Sequence, residues 1–344
     1  MRSGELIPSA TADHRNHNQC SDNQCSDDRS CDDHNGRRRT ISPLWLAIVW
    51  LMIGSQTSLA TDETVSVVTD QRYGETEGKA GLCDVYSPTG DVPTGGFPAV
   101  VVIHGGGWMS GDKWTLGSYA RQLAENGFVA ITINYRLAPT HPFPAQADDV
   151  RQALLWTNDN AKRLSIDLDR LGVFGYSAGG HLSLLIASLA DEPVPQQAAA
   201  SQWSASDSRW KSLPKIRAVC AGGPPCDFRS LPIDNTALAY FLGGSRREKP
   251  QLYAAASPAA HVSATDPVTQ IIHGVTDLIV PIQASQSFHD AQIAAAVDSR
   301  MTAVPQQGHM LTFLNPSTRQ TMVRFFQEVM PADAAEPSVP AASE

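Results

Sequence analysis

The 344-residue chain has no stretch of apolar side chains long enough to cross a bilayer. Its longest run, residues 44–53, is ten residues, about half the roughly 20 that a spanning helix needs. An excess of basic charge is also missing. Lysine and arginine total 26 against 35 aspartates and glutamates, leaving a net charge of -9. Such a chain has no positive field with which to collect phosphates, so a nucleic-acid partner is not expected. No dinucleotide-type GxGxxG or phosphate-loop Gly-Lys-Ser/Thr pattern occurs, and no internal repeat is visible. Cysteine is scarce, with six in the chain and three of them in the first 31 residues. Cys20, Cys25 and Cys31 stand near His14, His17 and His34. Their ligand types suit a soft metal, but their spacing matches no standard zinc motif. A polar segment without an apolar core is the expectation there.

The run 44–53 follows Arg37, Arg38 and Arg39 and precedes Ser58-Leu59-Ala60. A basic flank, a short apolar stretch and small residues before a cut describe a secretory signal, with cleavage expected after Ala60. The expected organisation is therefore a leader over 1–60, one catalytic domain over 61–330 and a frayed tail over 331–344. The mature protein is expected to be secreted or periplasmic, without a stable membrane span. In an exported protein Cys220 and Cys226, six apart, are close enough to bridge, and at most one disulfide is expected. Cys83 lies in a strand pattern and reads as a small buried hydrophobe.

The apolar fraction of 42% and charged fraction of 18% suit a soluble globular domain. Strand patterns recur at 65–68, 82–86, 99–103, 129–133, 171–174, 216–221, 268–272 and 301–304. Helical patterns fall at 115–126, 145–161, 178–189, 282–295 and 318–329. The continuous apolar run 99–103 is that of a strand buried on both faces, and 268–272, apolar except for Thr269 and Gln270, is given the same reading. This alternation predicts an α/β fold with a mostly parallel sheet of about eight strands and helices on both faces. The segment 191–215, rich in Ala, Ser, Gln and Pro, reads as an irregular surface insertion.

Two glycine-bearing motifs carry chemistry. Gly175-Tyr176-Ser177-Ala178-Gly179-Gly180 joins a strand pattern to a helix pattern, the setting of a nucleophile elbow. His104-Gly105-Gly106-Gly107-Trp108 follows the third strand. Glycines there allow positive φ and let backbone N–H groups approach a ligand closely. The N–H groups of Gly106, Gly107 and Ala178 are the expected oxyanion donors. A serine nucleophile needs a base, and the base an orienting carboxylate, each on a loop beyond a later strand. Asp277 follows the strand 268–272 and His309 follows 301–304, with Gly308 allowing that loop to turn. Asp227, after the sixth strand, is the alternative acid; Asp266 precedes its strand. His104 is expected to brace the glycine loop and His181 to lie behind the serine. His273 reads as too near Asp277 in sequence to pair with it, and His141, His261 and His289 as surface or structural. After the fourth strand, Arg136 and Asp149 suit a supporting ion pair beneath the site.

With these pieces placed, the chain resembles the α/β-hydrolase superfamily. The similarity is to the carboxylesterases around hormone-sensitive lipase and the bacterial feruloyl and acetyl-xylan esterase-like group. It runs from about residue 82 to 326 and rests on 104–108, 135–139 with 143–149, 175–180, 273–281 and Gly308-His309. The resemblance implies Ser177 as nucleophile, His309 as base, Asp277 as orienting acid, and no metal or cofactor. It implies hydrolysis of a small-molecule or polysaccharide-linked ester, with an amide hydrolase of arylformamidase or peptidase type as the alternative. Hormone-sensitive-lipase relatives usually carry a long N-terminal cap; here only about forty residues separate the expected cut from the third strand, which implies an open site.

Overall fold

The computed structural model describes residues 64–230 and 235–331. The expected leader, its cut after Ala60, the cysteines before it and all of the tail beyond Pro331 lie outside these residues.

The apolar runs become the middle of an eight-stranded sheet in the order β1-β2-β4-β3-β5-β6-β7-β8. The strands are β1 (Val65–Arg72), β2 (Leu82–Pro88), β3 (Phe97–Ile103), β4 (Val129–Ile133), β5 (Ile166–Tyr176), β6 (Ala218–Gly222), β7 (Val268–Gly274) and β8 (Ser299–Val304). β1 and β2 pair antiparallel at one edge, and β2 meets β4 antiparallel. Every other pair is parallel. All seven residues of β3 and all five of β4 and β6 are buried. A strand covered on both faces has no use for alternating polar residues.

Side-chain alternation along these strands feeds two cores. Ala99, Val101 and Ile103 of β3, with Leu171 and Val173 of β5, point to one face. Helices α2 (Ala145–Asn160) and α3 (Ala178–Leu189) cover it with Val150, Leu154, Leu182 and Leu185. Val100, Val102, Phe174 and Tyr176 point to the other. There α1 (Gly117–Glu125) and α9 (Pro316–Val329) supply Tyr119, Leu123, Met322 and Phe326. The expected doubly wound α/β fold is therefore present. Helices α4 (Val194–Ala199), α5 (Thr236–Leu242), α6 (Pro250–Ala255), α7 (Ile282–Ala294) and α8 (His309–Leu314) complete the described α-helices.

Three expectations need correction. Cys220 and Cys226 are free and buried, not bridged. Cys220 packs in one core and Cys226 in the other, so the sheet stands between them. Second, 191–215 is not a loose surface loop. It contains α4 and a 3-10 turn over Ser208–Ser212, and buries Trp203 against Trp210 at 5.0 Å. Asp148 of α2 ties it down, accepting from Ser201 Oγ and the Gln202 N–H. Third, Gly308 is not used for its conformational freedom: its φ of -90° and ψ of -176° are open to any residue.

The same Asp148 neutralises Arg151, whose side chain is 2% exposed and lies 3.0 Å away. Burial pulls the guanidinium down to about 10, and Asp148 is the carboxylate that offsets its charge. Removing one member of a buried ion pair strands the other in a poor solvent. Asp148→Ala should lower unfolding free energy by about 3–5 kcal/mol, measured by urea denaturation. A loss under about 1 kcal/mol would mean that the pair is only a surface-type contact.

Candidate active site

β5 lies between β3 and β6, so its carboxyl end emerges at the middle of the sheet. The chain must turn there at once into α3. Ser177 makes the turn with φ 56° and ψ -120°, a conformation costing a non-glycine residue about 1–3 kcal/mol. It is held from both sides: the Ser177 N–H donates to Gly222 O and the His181 N–H donates to Ser177 O. Small neighbours are obligatory. A Cβ on Gly179 would lie 1.9 Å from Ile103 O, and one on Gly175 would lie 2.2 Å from Gly179 O.

The glycine motif continues β3 into the same region. Gly106 and Gly107 have φ of 111° and 60°. His104 braces the motif as expected, its Nδ1 at 2.7 Å from Gly105 O. Its ring stacks on Tyr135 at 4.2 Å, and the Tyr135 hydroxyl donates to His104 O. Trp108 anchors the far end by stacking on Phe241 at 4.2 Å. Its indole N–H donates to His181 Nδ1 at 3.1 Å. His181 Nε2 then donates to Ala256 O at 2.7 Å, which specifies a neutral ring.

Asp277 and His309 meet across 32 residues of sequence, with His309 Nδ1 2.6 Å from Asp277 Oδ2. The other carboxylate oxygen accepts the N–H groups of Ile279 and Val280, both at 2.9 Å. The carboxylate is thus fixed in rotation and fully enclosed. His309 is the first residue of α8 rather than part of the loop expected from sequence. Its carbonyl accepts the Tyr176 hydroxyl at 2.6 Å, a contact that sequence reasoning missed. Tyr176 adjoins Ser177, so one side chain of the elbow holds the segment carrying the imidazole.

The separation expected between His273 and Asp277 is not found. His273 Nε2 lies 3.4 Å from Asp277 Oδ2 and 2.8 Å from Val280 O, because the chain after β7 folds back over its own end. Burial lowers the His273 basicity, which favours a neutral ring beside the carboxylate. Asp227, the alternative acid, instead forks onto Arg229 at 2.8 and 2.9 Å. Asp266 sits before β7, accepting from Ser188, Ser263 and Gln292. Arg136 and Asp149 form the expected ion pair at 2.8 Å.

Ser177, His309, Gly106 and Gly107 border one cavity of about 390 Å³. Ser177, Gly107 and Ala178 border a second of about 320 Å³. With Nδ1 engaged by Asp277, His309 presents Nε2 as its free acceptor. Among the described residues no hydrogen bond joins that nitrogen to Ser177 Oγ; such bonds commonly close only when substrate binds. A hydroxyl, an imidazole fixed by a carboxylate, and glycine N–H groups around one cavity can support acyl transfer. No cluster of His, Cys, Asp or Glu suited to a metal occurs among the described residues.

This fold, with its strand–turn–helix elbow at Ser177, is that of an α/β-hydrolase. The chain belongs to the BD-FAE family, whose model matches residues 83–292. It is similar to esterase LipC of Mycobacterium tuberculosis, 31% identical over 215 residues, which are 61% of this chain and 51% of that one. A carboxylesterase of the same organism, NlhH, is 42% identical over 120 residues, 33% of this chain and 37% of that one. The chain thus spans about half the length of LipC. Among solved structures, a truncated carbohydrate esterase from gut microbiota superposes with a TM-score of 0.69 at 25% identity. The match covers 78% of this chain and 98% of that one.

The buried tautomer of His181 has a measurable consequence. Burial pushes its pKa down to about 4, against about 6.5 in an unfolded chain. Between those values the unfolded state binds a proton that the folded state refuses, so stability falls as pH drops from 6.5 toward 4. At pH 5 this amounts to about 2 kcal/mol. Urea unfolding at pH 7.5 and 5.0 should show that loss in the wild type and a correspondingly smaller loss in His181→Gln. Equal pH dependence in the two proteins would contradict the assignment.

Proposed function

We propose that the chain is a serine carboxylesterase in which Ser177 is the nucleophile, His309 the base and Asp277 the orienting acid. The observation that carries this reading is the 2.6 Å contact between His309 Nδ1 and Asp277 Oδ2 at the cavity that Ser177 also borders. The relatives named as esterases support the reaction class; no relative named above favours the amide-hydrolase alternative.

In the first half-reaction Ser177 Oγ forms a bond to the ester carbonyl carbon while its proton passes to His309 Nε2. Charge gathers on the carbonyl oxygen, which the N–H groups of Gly106, Gly107 and Ala178 receive. Asp277 holds the imidazole in its productive orientation and stabilises the imidazolium. The bond from carbonyl carbon to alcohol oxygen then breaks, and the proton on Nε2 goes to the departing alcohol. Water repeats the sequence on the acyl-enzyme and releases the acid.

Steady-state hydrolysis of p-nitrophenyl butyrate tests the roles. Ser177→Ala and His309→Ala should each lose roughly four or more orders of magnitude in kcat. Asp277→Asn should lose about 10³–10⁴ while remaining folded, because an amide leaves the imidazole in the wrong tautomer. Near-wild-type turnover in folded Ser177→Ala would sink the mechanism.

A further inference from the structure

Two cavities flank Ser177, and their linings differ. One, of about 320 Å³, is walled by Cys226, Phe228, Leu238, Val280, Pro281 and Ala284. The other, of about 390 Å³, is walled by Thr115, Leu116, Tyr176, Met310 and Phe313, with His309. Only Gly107, Ser177 and Ile279 border both. Ile279 is 67% exposed, yet its backbone is fixed because its N–H donates to Asp277 Oδ1. It is therefore a held point of the boundary that both chambers share.

The polar side chains in these walls are few, and each has at least one partner within the protein. In the first chamber Asp227 is forked onto Arg229, and Asn235 accepts the Leu238 N–H. In the second, the Thr115 hydroxyl donates to Asp112 O and the Tyr176 hydroxyl to His309 O. Apart from the proposed catalytic groups, from Asp227 and Asn235 at the first chamber and from the Thr115 and Tyr176 hydroxyls at the second, the described side chains of both walls present carbon to whatever enters. A sugar ring there would give up its water hydrogen bonds without replacement, at a cost for each hydroxyl. An apolar chain would gain by leaving water.

From this geometry we infer that the substrate is an ester apolar on both sides of its carbonyl, with each half in its own chamber, rather than an acetyl group carried on a sugar. The inference rests on the serine esterase reading above. The orientation follows from the proton inventory. The departing alkoxide oxygen must collect the proton held on His309, and His309 borders only the second chamber. The alcohol half therefore lies against Met310 and Phe313, and the acyl half against Phe228 and Leu238. Ile279 borders both halves.

Two substrate series test this: p-nitrophenyl esters with acyl chains lengthening from acetate to octanoate, and butyrates with alcohols lengthening from methyl to hexyl. In each, kcat/KM should rise about threefold per methylene over the first few carbons. Acetylated xylooligosaccharide should fall about tenfold or more below hexyl acetate. Ala284→Phe, which fills the acyl chamber, should cut the octanoate-to-acetate ratio about tenfold and leave the hexyl-to-methyl ratio within about twofold. Thr115→Phe should do the reverse. Each readout is a ratio within one variant, so a loss of folded protein cancels, and Ala284→Leu should give a smaller shift of the same sign. Flat series with acetylated xylooligosaccharide preferred, or variants that alter both series alike, would overturn the two chambers. If p-nitrophenyl acetate hydrolysis is still lost in Ser177→Ala, the esterase reading survives that result. Failure to cleave any ester overturns both.

Discussion

The site depends on the left-handed turn at Ser177. A strand buried between two parallel neighbours must end abruptly, and the following helix must start at once over its own strand. Only a residue with positive φ achieves both. The strain is over-determined by the two backbone hydrogen bonds that grip Ser177 and by the closeness of Gly175 and Gly179 to neighbouring carbonyls. Sheet packing therefore sets the position of the hydroxyl, and the free N–H groups opening α3 come with it.

The remaining groups are brought to that fixed point by separate ties. Tyr176 reaches from the elbow to the carbonyl of His309, so the proposed base and the proposed nucleophile share one anchor although 132 residues of sequence separate them. Asp277 is locked by the turn it caps, with one oxygen on two backbone N–H groups and the other on His309. The glycine motif is held by aromatic packing of His104 on Tyr135 and Trp108 on Phe241. Each tie is a buried contact, which keeps the geometry in place before substrate arrives.

Much of this was legible in the residue pattern because the relevant signals are local. An uninterrupted apolar run announces the end of β3, and glycines around Ser177 announce a turn that only small residues permit. The position of Asp277 and His309 after successive parallel strands follows from the topology. What escaped depends on packing between distant segments. The sidedness of Cys220 and Cys226 becomes visible only once the sheet separates two cores. The folding-back that sets His273 against Asp277 is a property of the turn, not of spacing. The order in 191–215 comes from Trp203, Trp210 and the reach of Asp148, none of which gives a periodic pattern. Likewise α8 is too short for periodicity to reveal, so His309 read as a loop residue.

The central claim is that Ser177 is a nucleophile activated by the imidazole that Asp277 orients. The most direct measurement is covalent labelling with a fluorophosphonate, followed by peptide mapping. One adduct per chain, on the peptide containing Ser177 and formed far more slowly in His309→Ala, is the predicted result. Labelling at another residue, or a Ser177 that stays unmodified in folded and hydrolytically active protein, would contradict the account.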